Sequence, residues 1–344
     1  MKHEIDLSKY SIRTDLISDT IDVNSSIDGV VFDNDSVGNT AITRVTVNGE
    51  ASSVLNKKNG KYVTISFPDV TDKTNREEVI KILVGELKEF IKYMKISKNM
   101  KCLVVGLGNA ASTPDALGPK VINNIIVTKH IFEVEGIKRN RYYRNVSAFA
   151  PGVFGTTGIE TQSIIKGVIS ETNPDFLIII DALASSSIDR VNKTIQITDT
   201  GISPGSGVGN MRGEISFETI GRPILTIGVP TVVDAVTIVS DTINFMFKKF
   251  GYSIKNVDKV SEKLKPITSV NYLEKENNIS GEDKKKLLGI LGDLSEEEIK
   301  SLIFEVLTPV GYNLMVAPKE VDFIINKLSD VVSVSINKSL HNIR

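Results

Sequence analysis

Histidine, cysteine and tryptophan are nearly missing from this 344-residue chain, which has three histidines, one cysteine and no tryptophan. With Cys102 alone, no disulfide can close within the chain, and neither a CxxC pair nor an HExxH zinc motif occurs. His3 and His341 stand near the chain ends, so a histidine-dependent nucleophile or zinc site would rest on His130. A charge excess is absent too. The 41 Lys and Arg against 42 Asp and Glu give a net charge of −1, which is no footprint for nucleic acid or an anionic membrane. The most apolar window, 223–240, is broken by Pro230 and Asp234 and reads as strand, turn and helix, not a membrane span. The opening MKHEIDLSKYSIRTD lacks the apolar core of a signal peptide. A cytoplasmic globular protein is expected, long enough for one elaborate domain or two modest ones.

What is present alternates. Residues 1–25 are polar without a period and read as an arm. Short Val-, Ile- and Thr-rich runs at 29–33, 41–48 and 61–67 predict strands joined by hairpin turns. Apolar residues at 79, 82, 83, 87, 90, 91 and 94 predict a helix, with Thr74 and Glu77 as its capping box. Three apolar runs, 101–108, 176–181 and 222–230, read as strands buried on both faces. Helices are expected at 118–130, 160–170 and 234–248, and a further strand and loop at 146–155. The fold class is therefore α/β, a mainly parallel twisted sheet flanked by helices, with N-terminal strands and a C-terminal helical extension. Its core is expected at about 75–250. A charged, polar linker or surface helices should follow at about 253–294, and helices at 295–340, where Ser295 and Glu298 make a second capping box.

In open α/β sheets, chemistry gathers at the carboxyl ends of parallel strands. Two predicted strands there lead to the same tripeptide, Asp115-Ala116-Leu117 and Asp181-Ala182-Leu183. An aspartate closing the run FLIII is costly to bury without a partner. Each could instead be a helix N-cap; together they suggest a carboxylate pair in which one member stays protonated. Such a pair can activate water and protonate a leaving amine. Asp234 is a further candidate, better read as a helix cap. The rival reading is nucleotide binding. Gly106-x-Gly108-x-x-Ala111 follows a strand like a dinucleotide fingerprint. Against it, Ser112, Thr113 and Pro114 delay the helix, and Asp115 would repel a pyrophosphate. Cys102 reads as inert core, His130 as surface, GSGVG at 205–209 as a loop, and KRNRYYR at 138–144 as a solvated basic face.

The blocks VGLGNAASTPDALGP, SAFAPGVFGTTGIET, FLIIIDALAS, PGSGVGNMRGEIS, IGVPTVVDA and EVLTPVGYNLMVAPKEVDFI, with the start DLSKYSIRTDL, resemble the germination proteases of spore-forming bacteria. The resemblance runs in order from the arm to the last helix. It implies an atypical aspartic endopeptidase that degrades small acid-soluble spore proteins during germination, in the forespore or spore core. The implied fold is similar to that of hydrogenase-maturation endopeptidases. The family's two essential aspartates fall on Asp115 and Asp181. With no histidine near a core strand end, no catalytic metal and no other cofactor is expected. The resemblance also implies a homotetramer, and a zymogen that removes its own arm. The matching bond is Asp15-Leu16, making 1–15 the propeptide and 16–344 the catalytic domain. Arg139, Arg141 and Arg144 are candidates to read the acidic residue before the cut. Gly106 and Gly108 would let a substrate backbone come close to Asp115. Partners are thus spore proteins, with no direct nucleic acid and no membrane.

Overall fold

The computed structural model describes residues 15–20, 27–134, 136, 140–205, 213–258, 279–307 and 314–343. Its main compact unit takes in Arg13–Val233 and Ala317–Arg344. Eight strands define its sheet: β1 (Val30–Val37), β2 (Thr40–Val47), β3 (Gly60–Ser66), β4 (Cys102–Gly106), β5 (Val146–Phe149), β6 (Phe176–Ser185), β7 (Thr194–Thr198) and β8 (Ile224–Asp234). They lie in the order β1-β2-β3-β7-β8-β6-β4-β5. The α/β expectation holds, and the sheet is mixed. β8, β6, β4 and β5 are parallel, while β7 runs antiparallel to β8 and to β3 and so joins the N-terminal antiparallel strands to them. The sequence pattern showed the hairpins but not β7, which turns what would have been two sheets into one.

The apolar runs of β4 and β6 arise from burial on both faces. Val104, Ile178 and Ile180 point into a core shared with Leu83 and Leu87 of the helix Lys73–Tyr93 and Leu328 and Val332 of the helix Val321–Leu340. Leu103, Val105, Leu177 and Ile179 point the other way, against Ile165 of the helix Thr161–Thr172. The helix Lys73–Tyr93 is capped by Asp72, whose side chain accepts from Asn75 N–H, and not by the Thr74–Glu77 pair. Asp72 comes two residues earlier in the chain and meets the free amide first. The helix expected at 118–130 is two pieces, Leu117–Ile122 and Lys129–Val134, interrupted after Asn123 and Asn124.

The second compact unit includes Asp234–Val316. Asp234 caps the helix Ala235–Lys255, accepting from Thr237 N–H at 2.8 Å, as its helix-cap reading predicts. Of the stretch expected as a charged linker, residues 259–278 lie outside the described residues. The helix Gly281–Leu288 and a short 3-10 turn, Gly289–Asp293, occupy most of the rest. Ser295 and Glu298 cap the helix Glu296–Leu307 reciprocally, Ser295 N–H donating to Glu298 Oε2 and Glu298 N–H to Ser295 Oγ. No helix among the described residues is long and apolar enough to cross a membrane.

Candidate active site

From β4 the chain passes to β5 on one side, then to β6 on the other. The carboxyl ends of β4 and β6 therefore flank the point where the connections reverse, and a crevice forms at such a point. After β4 the chain makes a tight loop. Leu107 N–H donates to the Ile180 carbonyl, and a 3-10 turn, Thr113–Asp115, brings Asp115 back over the strand end. Asn109 N–H donates to Asp115 Oδ2 at 2.7 Å and fixes the carboxylate.

Asp181 is not a helix cap. β6 continues past it to Ser185, so Asp181 lies within a strand, beside Gly228 of β8. The two DAL tripeptides thus have different local structures and converge only in space. Asp181 is buried. That burial pushes its carboxyl well above the usual carboxylate range. The nearby charges of Asp115 and Asp15 push the same way, and the Ala182 N–H, donating to Asp181 Oδ1, opposes them.

The appearance of Asp15 beside Asp181 ties the expected cleavage bond to this site. Asp15 N–H donates to the Ala184 carbonyl at 3.3 Å, and Ala184 N–H donates to Asp15 Oδ2 at 3.1 Å. Beyond the bond, Leu16 and Ile17 are both 0% exposed, with Ile17 packed among Val45, Val47 and Leu55. Asp19 is held by Arg190 and accepts from Ser185 Oγ and Ser186 N–H. The Asp15 carbonyl accepts from Lys57 Nζ at 3.1 Å and Gln196 Nε2 at 3.3 Å. Burial lowers the pKa of Lys57, against the charges of Asp15 and Asp19, which raise it. A cavity of about 360 Å³ opens here, lined by Asp15, Lys57, Leu183, Gln196, Thr198 and Gly228 among others.

Other candidates sit elsewhere. Arg139 lies outside the described residues, as do positions 206–209 of the GSGVG loop and residues 1–14. Arg141 is exposed. Arg144 is buried, donates to the carbonyls of Ser97 and Met100 at 2.6 and 2.9 Å, and lies over the Phe176 ring. Arg141 and Arg144 both precede β5, at the opposite end of the parallel strands from Asp115 and Asp181. The carboxylate of Asp15 is met instead by Ala184. Replacing Arg144 with Met should therefore leave cleavage specificity unchanged while costing about 2 kcal/mol of stability, because two buried carbonyls lose their charged donor. Product mapping and denaturant unfolding check both halves.

Gly106 and Gly108 serve the fold directly. A Cβ on Gly108 (φ +112°) would come within 2.0 Å of the Asp115 carbonyl, and one on Gly106 within 2.3 Å of the Gly118 carbonyl. The glycines admit the chain's own returning loop. His130 is exposed or nearly so. Cys102 is buried and its thiol pushed up by that burial. Among the described residues, no group of three or more His, Cys, Asp or Glu could hold a metal ion.

The fold is that of an α/β protein with two carboxylates, Asp115 and Asp181, at neighbouring parallel strands. The chain matches the germination protease family over residues 11–343 and belongs to that family. It is 45% identical to the germination protease of Priestia megaterium (strain ATCC 12872 / QMB1551) over 359 residues, covering 99% of this chain and 97% of that one. It is also 45% identical to that of Bacillus cereus (strain G9842) and 44% to that of Geobacillus sp. (strain WCH70), again over 99% of this chain and 97% and 96% of theirs. The chain is thus an endopeptidase of spore germination, and the oxidoreductase alternative finds no support. Among solved structures, a nickel–iron hydrogenase maturation protease from Thermococcus kodakarensis KOD1 aligns with a TM-score of 0.26 and 18% identity, covering 38% of this chain and 74% of that one. A likeness that low carries no argument.

Proposed function

We propose that Asp115 and Asp181 work as an aspartic pair, that the first bond they cut is Asp15-Leu16 of the same chain, and that small acid-soluble spore proteins are the later substrates. The observation that carries this reading is the seating of Asp15 on β6, where it exchanges hydrogen bonds with Ala184, three residues on from Asp181. Buried Asp181 keeps its proton. Half-buried Asp115, oriented by the Asn109 amide, takes a proton from water. The water oxygen attacks the Asp15 carbonyl carbon, and the carbonyl π pair moves onto oxygen. As that pair returns, the C–N bond breaks and the Leu16 nitrogen takes the proton of Asp181, leaving a new carboxyl and a new amine. The proton on Asp115 then passes to Asp181, directly or through solvent, and the pair returns to its starting state.

The spore proteins, the spore-core setting and a homotetrameric assembly enter this proposal from the family resemblance. Mass spectrometry of the full chain, incubated at mildly acidic pH so that Asp181 is protonated, is the direct test. A new terminus at Leu16 is expected. A chain that stays intact, or that is cut only elsewhere, rejects the reading.

A further inference from the structure

We infer that Lys57 and Gln196 form the oxyanion site of this protease, holding the carbonyl of the bond to be cut; the inference rests on the proposed cleavage at Asp15-Leu16. Two side chains converge on one backbone oxygen. Lys57 Nζ donates to the Asp15 carbonyl at 3.1 Å and Gln196 Nε2 donates to it at 3.3 Å. Gln196 does more, because its Oε1 accepts from Ile17 N–H at 2.7 Å. One amide therefore spans the Asp15-Leu16 bond, with a donor on its carbonyl and an acceptor for the N–H two residues on.

Neither contact is incidental to the fold. Gln196 stands mid-strand in TIQIT of β7, every residue of which is buried. A polar side chain there must be satisfied, and both ends of its amide are satisfied by the segment to be cut. Lys57 comes after Asn56, whose left-handed backbone (φ +49°) ends the helix Ala51–Leu55 and turns the chain toward Asp15. When water adds to the Asp15 carbon, the carbonyl oxygen takes up negative charge. A cation and an amide N–H already in place there stabilise it without reorganisation. Asp181 is then left with one task, delivering its proton to the Leu16 nitrogen. No further bond is made or broken by the pair: they hold the electron pair on oxygen until it returns to expel the amine.

The test tracks self-processing of the full chain, with the first-order appearance of the Leu16 terminus as readout. Lys57→Met and Gln196→Leu are each expected to slow it roughly 10²- to 10³-fold, the usual loss for one oxyanion donor. Lys57→Cys should be equally slow. Aminoethylation, which rebuilds an amine on that sulfur, should return most of the rate, and carbamidomethylation should not. Buried Cys102 with its raised thiol pKa leaves position 57 as the reactive thiol. This rescue separates chemistry from misfolding, because a chain that failed to fold would not recover. With a peptide of residues 11–22 as substrate for the processed enzyme, the loss should fall in kcat and not in KM. Wild-type rates in Lys57→Met and Gln196→Leu, or an aminoethylated Lys57→Cys no faster than the carbamidomethylated one, overturn the oxyanion site. Wild-type processing in Asp181→Asn, or a cut at another bond, overturns the underlying reading instead.

Discussion

Asp115→Asn and Asp181→Asn are each expected to fold normally and to lose self-processing and protein cleavage by about 10⁴-fold. An amide can neither take a proton from water nor give one to a leaving nitrogen at neutral pH. In the proposed pair the two carboxyls act as one unit, so the double variant should be scarcely slower than either single one. Terminal mass spectrometry over days, with active-site integrity checked by unfolding, gives the result. Near-wild-type cutting in either single variant removes that residue from the pair. A double variant slowed by the product of the single effects would mean that the two act independently.

The second large effect is on stability, and its sign is set by Asp181. Its folded-state pKa lies above the unfolded value, through burial first and then the charges of Asp115 and Asp15. The native state therefore holds the proton more tightly than the unfolded chain. The stability linked to this group is complete below the unfolded Asp pKa and is lost as pH rises through the raised one. Within that window the slope reaches about 1.4 kcal/mol per pH unit. Asp181→Asn has no proton to lose. It should match the wild type in acid and become progressively more stable than it as pH rises, with Tm separating by roughly 2–4 °C for each kcal/mol. Parallel thermal scans across pH decide the matter. A constant Tm difference at every pH would show that Asp181 ionises as easily folded as unfolded. The more stable variant would be the inactive one, as expected where a buried charge is kept for chemistry.

Much of the fold and half of the site are legible in the residues. The double-sided apolar runs mark β4, β6 and β8, because parallel strands covered on both faces admit almost nothing else. Asp181 stands out as a carboxylate set against FLIII, and Asp115 as its repeat. The parts without a local signature do not show. β7 is a short strand, and its antiparallel pairing depends on partners far off in the chain, Thr64 and Gly228 opposite Gln196. Gln196 is noticeable as a polar residue between isoleucines, but nothing local says what it faces. Lys57 is one of two adjacent lysines near a turn, and only the fold brings it to Asp15. The arginines mislead in the opposite direction. Arg144 lies in a conspicuous basic cluster, yet two carbonyls and an aromatic ring account for it. The glycines of the fingerprint suggest room for a visitor from outside, whereas the returning loop of the chain itself comes close enough to require them.

Because Leu16 and Ile17 are completely buried, the proposed first cut would change the site that makes it. Hydrolysis at Asp15-Leu16 replaces a neutral amide by an ammonium on Leu16 and a second carboxylate on residue 15. The new carboxylate would arise on the oxygen that Lys57 and Gln196 already hold. The new ammonium arises on a residue with no exposed surface. Separated from water, such charges cost several kcal/mol unless each finds a partner. The seat that fits the intact segment would therefore keep donors for the acidic side of the cut and be hostile to the amine on the other side. The charge created on Leu16 by the proposed cut would drive that residue from its buried place.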